Sequence, residues 1–221
     1  TESMEAHRRF LKSDRWDEWR KLETDQRKGV SPPQPQKPFP ENAKLIPLVS
    51  PEKLTIGRMP LIEAIRRRRS RRVYTDESLT LEELSFLLWA TQGISRITPH
   101  DVSEDLYKAL ARSRAVLRTV PSGGARHPFE TYLLVNRVVG VEPGLYRYLP
   151  LENKLYLLSE DPKLTRKVHE ANYEQYVENS AVTFIWTAIP YRTEWRYSIL
   201  SPKCIAQDSG HMCQNLSLIH I

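Results

Sequence analysis

An α+β fold is predicted for this chain of 221 residues, and three stretches predict it. Thr80-Leu81-Glu82-Glu83 reads as a capping box, in which the threonine hydroxyl accepts from the Glu83 amide and the Glu83 carboxylate reaches back. Leu81, Leu84, Leu87, Leu88 and Thr91 then mark one helical face, and Gly93 supplies a stop. Phe129-Glu130-Thr131-Tyr132-Leu133-Leu134-Val135-Asn136 reads as a largely buried strand. Residues 145–149 and 154–158 read as a strand pair joined through residues 150–153. Helices and hairpin-like pairs are interspersed without regular βαβ units, which is the α+β pattern.

The chain opens with a highly charged stretch to about Lys28, with Phe10, Trp16 and Trp19 scattered through it; it reads as a short helix or a disordered lead-in. Residues 31–40 hold five prolines, a semi-rigid polyproline-type strap that is either a linker or a docked segment. Two domains are drawn on this basis: a charged, proline-rich extension over residues 1–53 and a folded domain over residues 54–221. Pro60 opens a short helix with apolar Leu61, Ile62, Ala64 and Ile65. Residues 102–114 read as a weaker helix or lid-like segment. Glu142-Pro143-Gly144-Leu145 places Pro and Gly at the centre of a type II turn. Asp161-Pro162 opens a further helix, with Asp as cap and Pro at the first position. Ala181 to Ala188 is β-branched and aromatic, the pattern of a central strand. Ile205, Ser209, Met212, Leu216 and Ile219 form a final helical stripe.

The formal charge is +6 and the pI about 9.3. That surplus is local, because residues 66–72 alone hold six arginines, so it argues for an anionic ligand or a local patch rather than a nucleic-acid-coating protein. Two cysteines, Cys204 and Cys213, are too few for a disulfide framework and fit a reduced cytoplasmic compartment. No apolar run approaches the roughly 20 residues of a membrane span, and no signal peptide is visible. The six histidines are scattered, so no metal site is expected.

Two constellations carry chemistry. Arg66-Arg67-Arg68-Arg69-Ser70-Arg71-Arg72 falls at the end of the Pro60 helix, where cations complement the helix dipole. Guanidinium forks with one hydroxyl suit a dianionic phosphate; the other reading is a solvated basic face. Pro121-Ser122-Gly123-Gly124-Ala125-Arg126-His127-Pro128 precedes the first strong strand. Its paired glycines permit close approach, and its amides can form a nest for an anion or a ring edge; the other reading is an ordinary tight turn.

In this order, and followed by Asp208-x-Gly210-His211-x-x-Gln214-Asn215-Leu216, the two motifs resemble the FMN-dependent nitroreductase superfamily, and within it the SagB-type branch of azoline-oxidising dehydrogenases. The resemblance spans residues 60 to about 216. It implies a nitroreductase-like mixed or antiparallel sheet flanked by helices, in a homodimer with FMN at the subunit interface. Arg68, Arg69, Ser70 and Arg72 would hold the FMN phosphate and ribityl chain, with Arg68 or Arg69 also steadying reduced flavin. Pro121, Ser122, Gly123 and Gly124 would line the ring, and Asp208 to Leu216 would pack in the core helix. The reaction implied is ping-pong hydride transfer through flavin N5, from NAD(P)H to a small organic substrate or between flavin and a peptide azoline. No side chain is required as a nucleophile or as a general acid or base. Leu216 to Ile221 departs from the family's alanine-rich continuation, and a chain incomplete at its C-terminus is expected. The competing class is a small basic module that uses Arg66 to Arg72 to bind nucleic acid or an acidic partner; the lack of interleaved aromatic platforms counts against it.

Overall fold

The computed structural model describes residues 2–98 and 115–219; the lid-like segment expected at 102–114 lies outside them. The chain forms two compact units. One comprises residues 36–94, 129–187 and 212–221, the other residues 1–35, 95–128 and 188–211.

The first unit is built on a five-stranded antiparallel sheet of strands β1 (Leu45–Pro47), β4 (Phe129–Val135), β5 (Gly144–Leu149), β6 (Lys154–Ser159) and β7 (Val182–Ala188), in the order β1-β6-β5-β4-β7. The predicted strand pair is present: Arg147 faces Tyr156 and Leu149 faces Lys154 across β5 and β6. Strand β1 pairs through Leu45 with Tyr156, so the sheet begins upstream of residue 54. Three residues, the last of them Pro47, are too few to show strand periodicity.

Helix α4 (Leu81–Gln92) covers this sheet. Its capping box forms as expected, with the Glu83 amide donating to Thr80 Oγ1 at 3.2 Å and the Thr80 amide to Glu83 Oε2 at 2.7 Å. Leu84 and Leu88 are fully buried against Leu133, Val135, Tyr146, Tyr148 and Leu155. Each such leucine contributes roughly 1.5–3 kcal/mol through burial. The C-terminal part of the last helix joins α4: Gln92 meets the Met212 sulfur, and Asn215 donates to the Ala90 carbonyl at 2.7 Å.

Four sequence readings change here. Gly144 is not in a turn but already in β5, opposite Val135. A Cβ there would lie 2.7 Å from the Ser159 carbonyl oxygen, so close strand approach explains the glycine. The turn sits just before it, where the Val141 amide donates to the Val138 carbonyl at 3.1 Å and Gly140 takes φ +78°. Strand β7 is at the sheet edge among the described residues, not at its centre. Helix α5 (Leu164–Ala171) starts later than Pro162; Asp161 still serves its first turn by accepting from the Lys163 amide at 2.9 Å. In α3 (Leu61–Arg67) only Ala64 is buried, and Leu61, Ile62 and Ile65 are exposed.

The second unit contains α1 (Glu2–Leu11), α2 (Arg15–Arg20), the pair β2 (Ile94–Thr98) and β3 (Ala115–Arg118), α6 (Tyr191–Tyr197) and the start of α7 (Ser201–Ile219). Trp16 meets Trp19 and Tyr197 edge to face, with the Trp16 and Trp19 centroids 5.3 Å apart, and Trp19 and Tyr197 are tilted against each other. Lys203 donates to the Leu11 carbonyl, at the end of α1 where orphan carbonyls need donors. The charged lead-in is therefore helical.

The proline-rich segment is docked. A polyproline backbone makes no internal hydrogen bonds, so its carbonyls need outside donors. In the helical unit, buried Arg192 donates to the Gln34 carbonyl and buried Arg118 to the Pro35 carbonyl, both at 2.9 Å. In the sheet unit, buried Arg147 donates to the Pro38 carbonyl at 2.9 Å, and the Lys37 amide donates to Glu130 at 3.0 Å.

Candidate functional site

Helix α3 ends where its arginine run begins. Arg66 and Arg67 lie in its last turn, and Arg68 is the cap, with ψ swung to 123°. Arg69 folds back, donating from Nη1 to the Arg66 and Arg68 carbonyls at 3.0 and 2.8 Å. That is a C-terminal cap made by a side chain. Arg67 pairs with Glu63 at 2.5 Å, an exposed i,i+4 pair of small energetic weight. Among the described residues, the side chains of Arg68, Ser70 and Arg72 make no hydrogen bond. Arg69, Ser70 and Arg72 are exposed and Arg68 is half-buried. Arg68, Ser70 and Arg72 thus keep donors without carboxylate partners among the described residues, a set that fits a phosphate. Beside it, a cavity of about 440 Å³ is lined by Met59, Leu61, Ala64, Phe86 and Leu87, among others.

The glycine loop belongs to the helical unit and is more tightly built. A single 3₁₀ turn spans Gly123–Ala125. The Ser122 hydroxyl donates to Asp208 Oδ2 at 2.6 Å and accepts from the His127 amide at 2.9 Å. The Gly123 amide donates to Asp208 Oδ1 at 3.1 Å. The Ala125 and Arg126 amides donate to the Ser122 and Gly123 carbonyls. Gly124 has φ +57°, and a Cβ there would meet Arg196 Cδ and Tyr197 Oη at 2.9 Å. A side chain there would have to displace these α6 atoms, and the left-handed conformation itself favours glycine. Gly123 is looser, its Cβ position lying 3.5 Å from Cys204.

Sequence reasoning took Ser122 as a hydroxyl for a ligand. Its one proton is instead committed to Asp208, and within the loop most amides are consumed as well. Pro121, Ser122, Gly123 and Gly124 lie in one tight loop, and Arg68, Arg69, Ser70 and Arg72 follow one another past the end of α3; the two groups belong to different compact units.

Sequence reading missed the residues behind this loop. Asp208 is buried, at 4 % exposure. Burial raises its carboxyl pKa, opposed by the bonds from Ser122 and Gly123. His127 is buried at φ +45°. Burial first, then the charges of Arg118, Arg126 and Arg192, push its pKa from 6.5 down to about 3, so it is neutral near pH 7. Burial and the neighbouring Arg196 also lower the Arg126 pKa. The available signal was the place of Asp208 at the start of the helical motif that runs to Leu216.

Sheet and flanking helices define an α+β fold. The Nitroreductase family profile matches residues 65–219, and the chain belongs to that family. It is 28% identical over 164 residues to MJ1384 of Methanocaldococcus jannaschii, a protein assigned as a nitroreductase, covering 74% of each chain. It is 29% identical over 143 residues to the trifolitoxin-processing protein TfxB of Rhizobium leguminosarum bv. trifolii, covering 62% of this chain but 36% of that one. A crystal structure of a Ralstonia eutropha protein assigned as a nitroreductase superposes with a TM-score of 0.56 at 24% identity, covering 86% of this chain and 78% of that one. The fold is therefore the nitroreductase fold. No helix among the described residues is long and apolar enough to cross a membrane.

Proposed function

We propose that this nitroreductase-family oxidoreductase is FMN-dependent and of the SagB type. The observation that carries the reading is the set of unpartnered donors on Arg68, Ser70 and Arg72, inside the stretch that matches the family. These side chains, with Arg69, would hold the flavin phosphate and ribityl chain, and Pro121, Ser122, Gly123 and Gly124 would face the ring of the flavin held mainly by the partner subunit. A bound FMN would supply the redox chemistry, ping-pong hydride transfer through N5 to or from a small organic or peptide-azoline substrate. The chain's own work is to bind, orient and exclude water. Relation to a toxin-processing protein supports a modified-peptide azoline substrate over a free quinone or nitroaromatic. The exposed Leu61, Ile62 and Ile65 of α3 support a homodimer contact, and the free cysteines a cytoplasmic location.

The test is titration with FMN and, in parallel, with riboflavin, which lacks the phosphate. Arg68→Ala and Arg72→Ala should each weaken FMN at least about ten-fold, the scale of one lost charge-assisted hydrogen bond. Riboflavin affinity should fall much less, because only the ribityl contacts are shared, and added salt should shrink the difference. Equal loss for both flavins, or tighter binding of a nucleic acid through the same arginines, would favour the basic-module reading instead.

A further inference from the structure

We propose that Asp208 is the positioning residue of the glycine loop, a buried carboxylate whose two oxygens hold Ser122 and Gly123 so that the loop presents a fixed face to a ring. The proposal rests on the reading of that loop as ring-facing.

Asp208 sits on the buried side of α7, four residues before fully buried Met212. For packing alone, an apolar side chain would serve there, without the several kcal/mol that desolvating a carboxylate costs. What Asp208 adds is directional: one oxygen takes the Ser122 hydroxyl at 2.6 Å, the other the Gly123 amide at 3.1 Å. Both are charge-assisted bonds, shorter and stronger than neutral ones. They reach two consecutive residues, so they fix loop orientation as well as distance. His211, one turn along α7, has its Nδ1 3.0 Å from the Pro121 carbonyl, a second grip on the residue before. The Ser122 oxygen then passes the constraint on, accepting from the His127 amide at 2.9 Å. Of the amides from Gly123 to His127, that of Gly124 alone has no acceptor among the described residues. The clamp therefore leaves the Gly124 amide as a backbone donor for a ligand, at a residue whose left-handed backbone favours glycine.

The test compares Asp208→Ala, Asp208→Asn, Ser122→Ala and the Asp208→Ala/Ser122→Ala pair, with two readouts. The first is amide hydrogen exchange in the flavin-free protein. The Asp208→Ala variant should lose protection at Gly123 and His127 about ten-fold or more, while α4 amides stay protected. The second is FMN affinity by fluorescence quenching. Asp208→Ala should weaken binding about ten-fold, and Asp208→Asn, which keeps the acceptor for Gly123, should recover part of it. The double variant should bind about as well as Asp208→Ala alone, because both substitutions cut one chain of contacts. Unchanged exchange at Gly123, or additive losses in the double variant, would overturn the proposal and leave Asp208 a packing residue. If the unsubstituted protein takes up no FMN, the flavin reading fails, and exchange at Gly123 still decides whether Asp208 holds the loop.

Discussion

Trp195→Ala should lower the free energy of unfolding by about 3–5 kcal/mol, the range for deleting a fully buried aromatic side chain. Trp195 is 0 % exposed on α6. Its indole donates to the Val30 carbonyl at 2.8 Å, and the Arg126 guanidinium sits 5.1 Å over its ring. Truncation removes the packing, leaves the Val30 carbonyl without that donor, and frees the start of the proline-rich strap. Each of these acts in the same direction. Equilibrium urea unfolding measures the loss, with Trp16→Ala as the control: Trp16 is 38 % exposed, so its loss should cost far less. Similar midpoints for the two variants would show that Trp195 does not anchor this unit.

Acidification should destabilise the protein through His127. The unfolded imidazole binds a proton below its ordinary value of 6.5, whereas the folded one, buried among Arg118, Arg126 and Arg192, resists until about pH 3. Between those values the unfolded state holds more protons, so stability falls as pH falls and levels off below the folded value. At pH 5 the deficit relative to neutral pH is about 2 kcal/mol, on the scale of 1.36 kcal/mol per pKa unit. His127→Asn isolates the effect, because asparagine tolerates the left-handed backbone at φ +45° and does not titrate. Urea midpoints at pH 7 and pH 5 should converge for this variant relative to the parent. Identical pH dependence in both proteins would mean that His127 is protonated as easily folded as unfolded.

Local chemistry was legible in the sequence and distant pairing was not. The Thr80–Glu83 box needs only residues three apart, and it forms as read. The β5–β6 pair needs a short connection, and it too forms. Strand β7 has the composition of a central strand, but its place at the edge depends on which strands reach it, and no local pattern encodes that. Gly144 looked like a turn residue because Pro143 precedes it; the reason for the glycine is the Ser159 carbonyl, fifteen residues away. The same divide runs through the candidate site. The arginine run is visible from composition, and the paired glycines from adjacency. Asp208 meets its partners 85 and 86 residues upstream, so the sequence shows it as the start of a helical motif and not as the residue that holds the glycine loop. The docked strap was undecidable for a similar reason, since the arginines that hold its carbonyls lie far along the chain.

Whether the family fold here serves a flavin is read from the visible absorbance of the purified protein after incubation with excess FMN and removal of free ligand. The protein should show the two visible bands of an oxidised flavin and release about one FMN per chain on denaturation. A colourless protein that releases no flavin, while a salt-sensitive affinity for polyanions persists at Arg66 to Arg72, would contradict the flavin role.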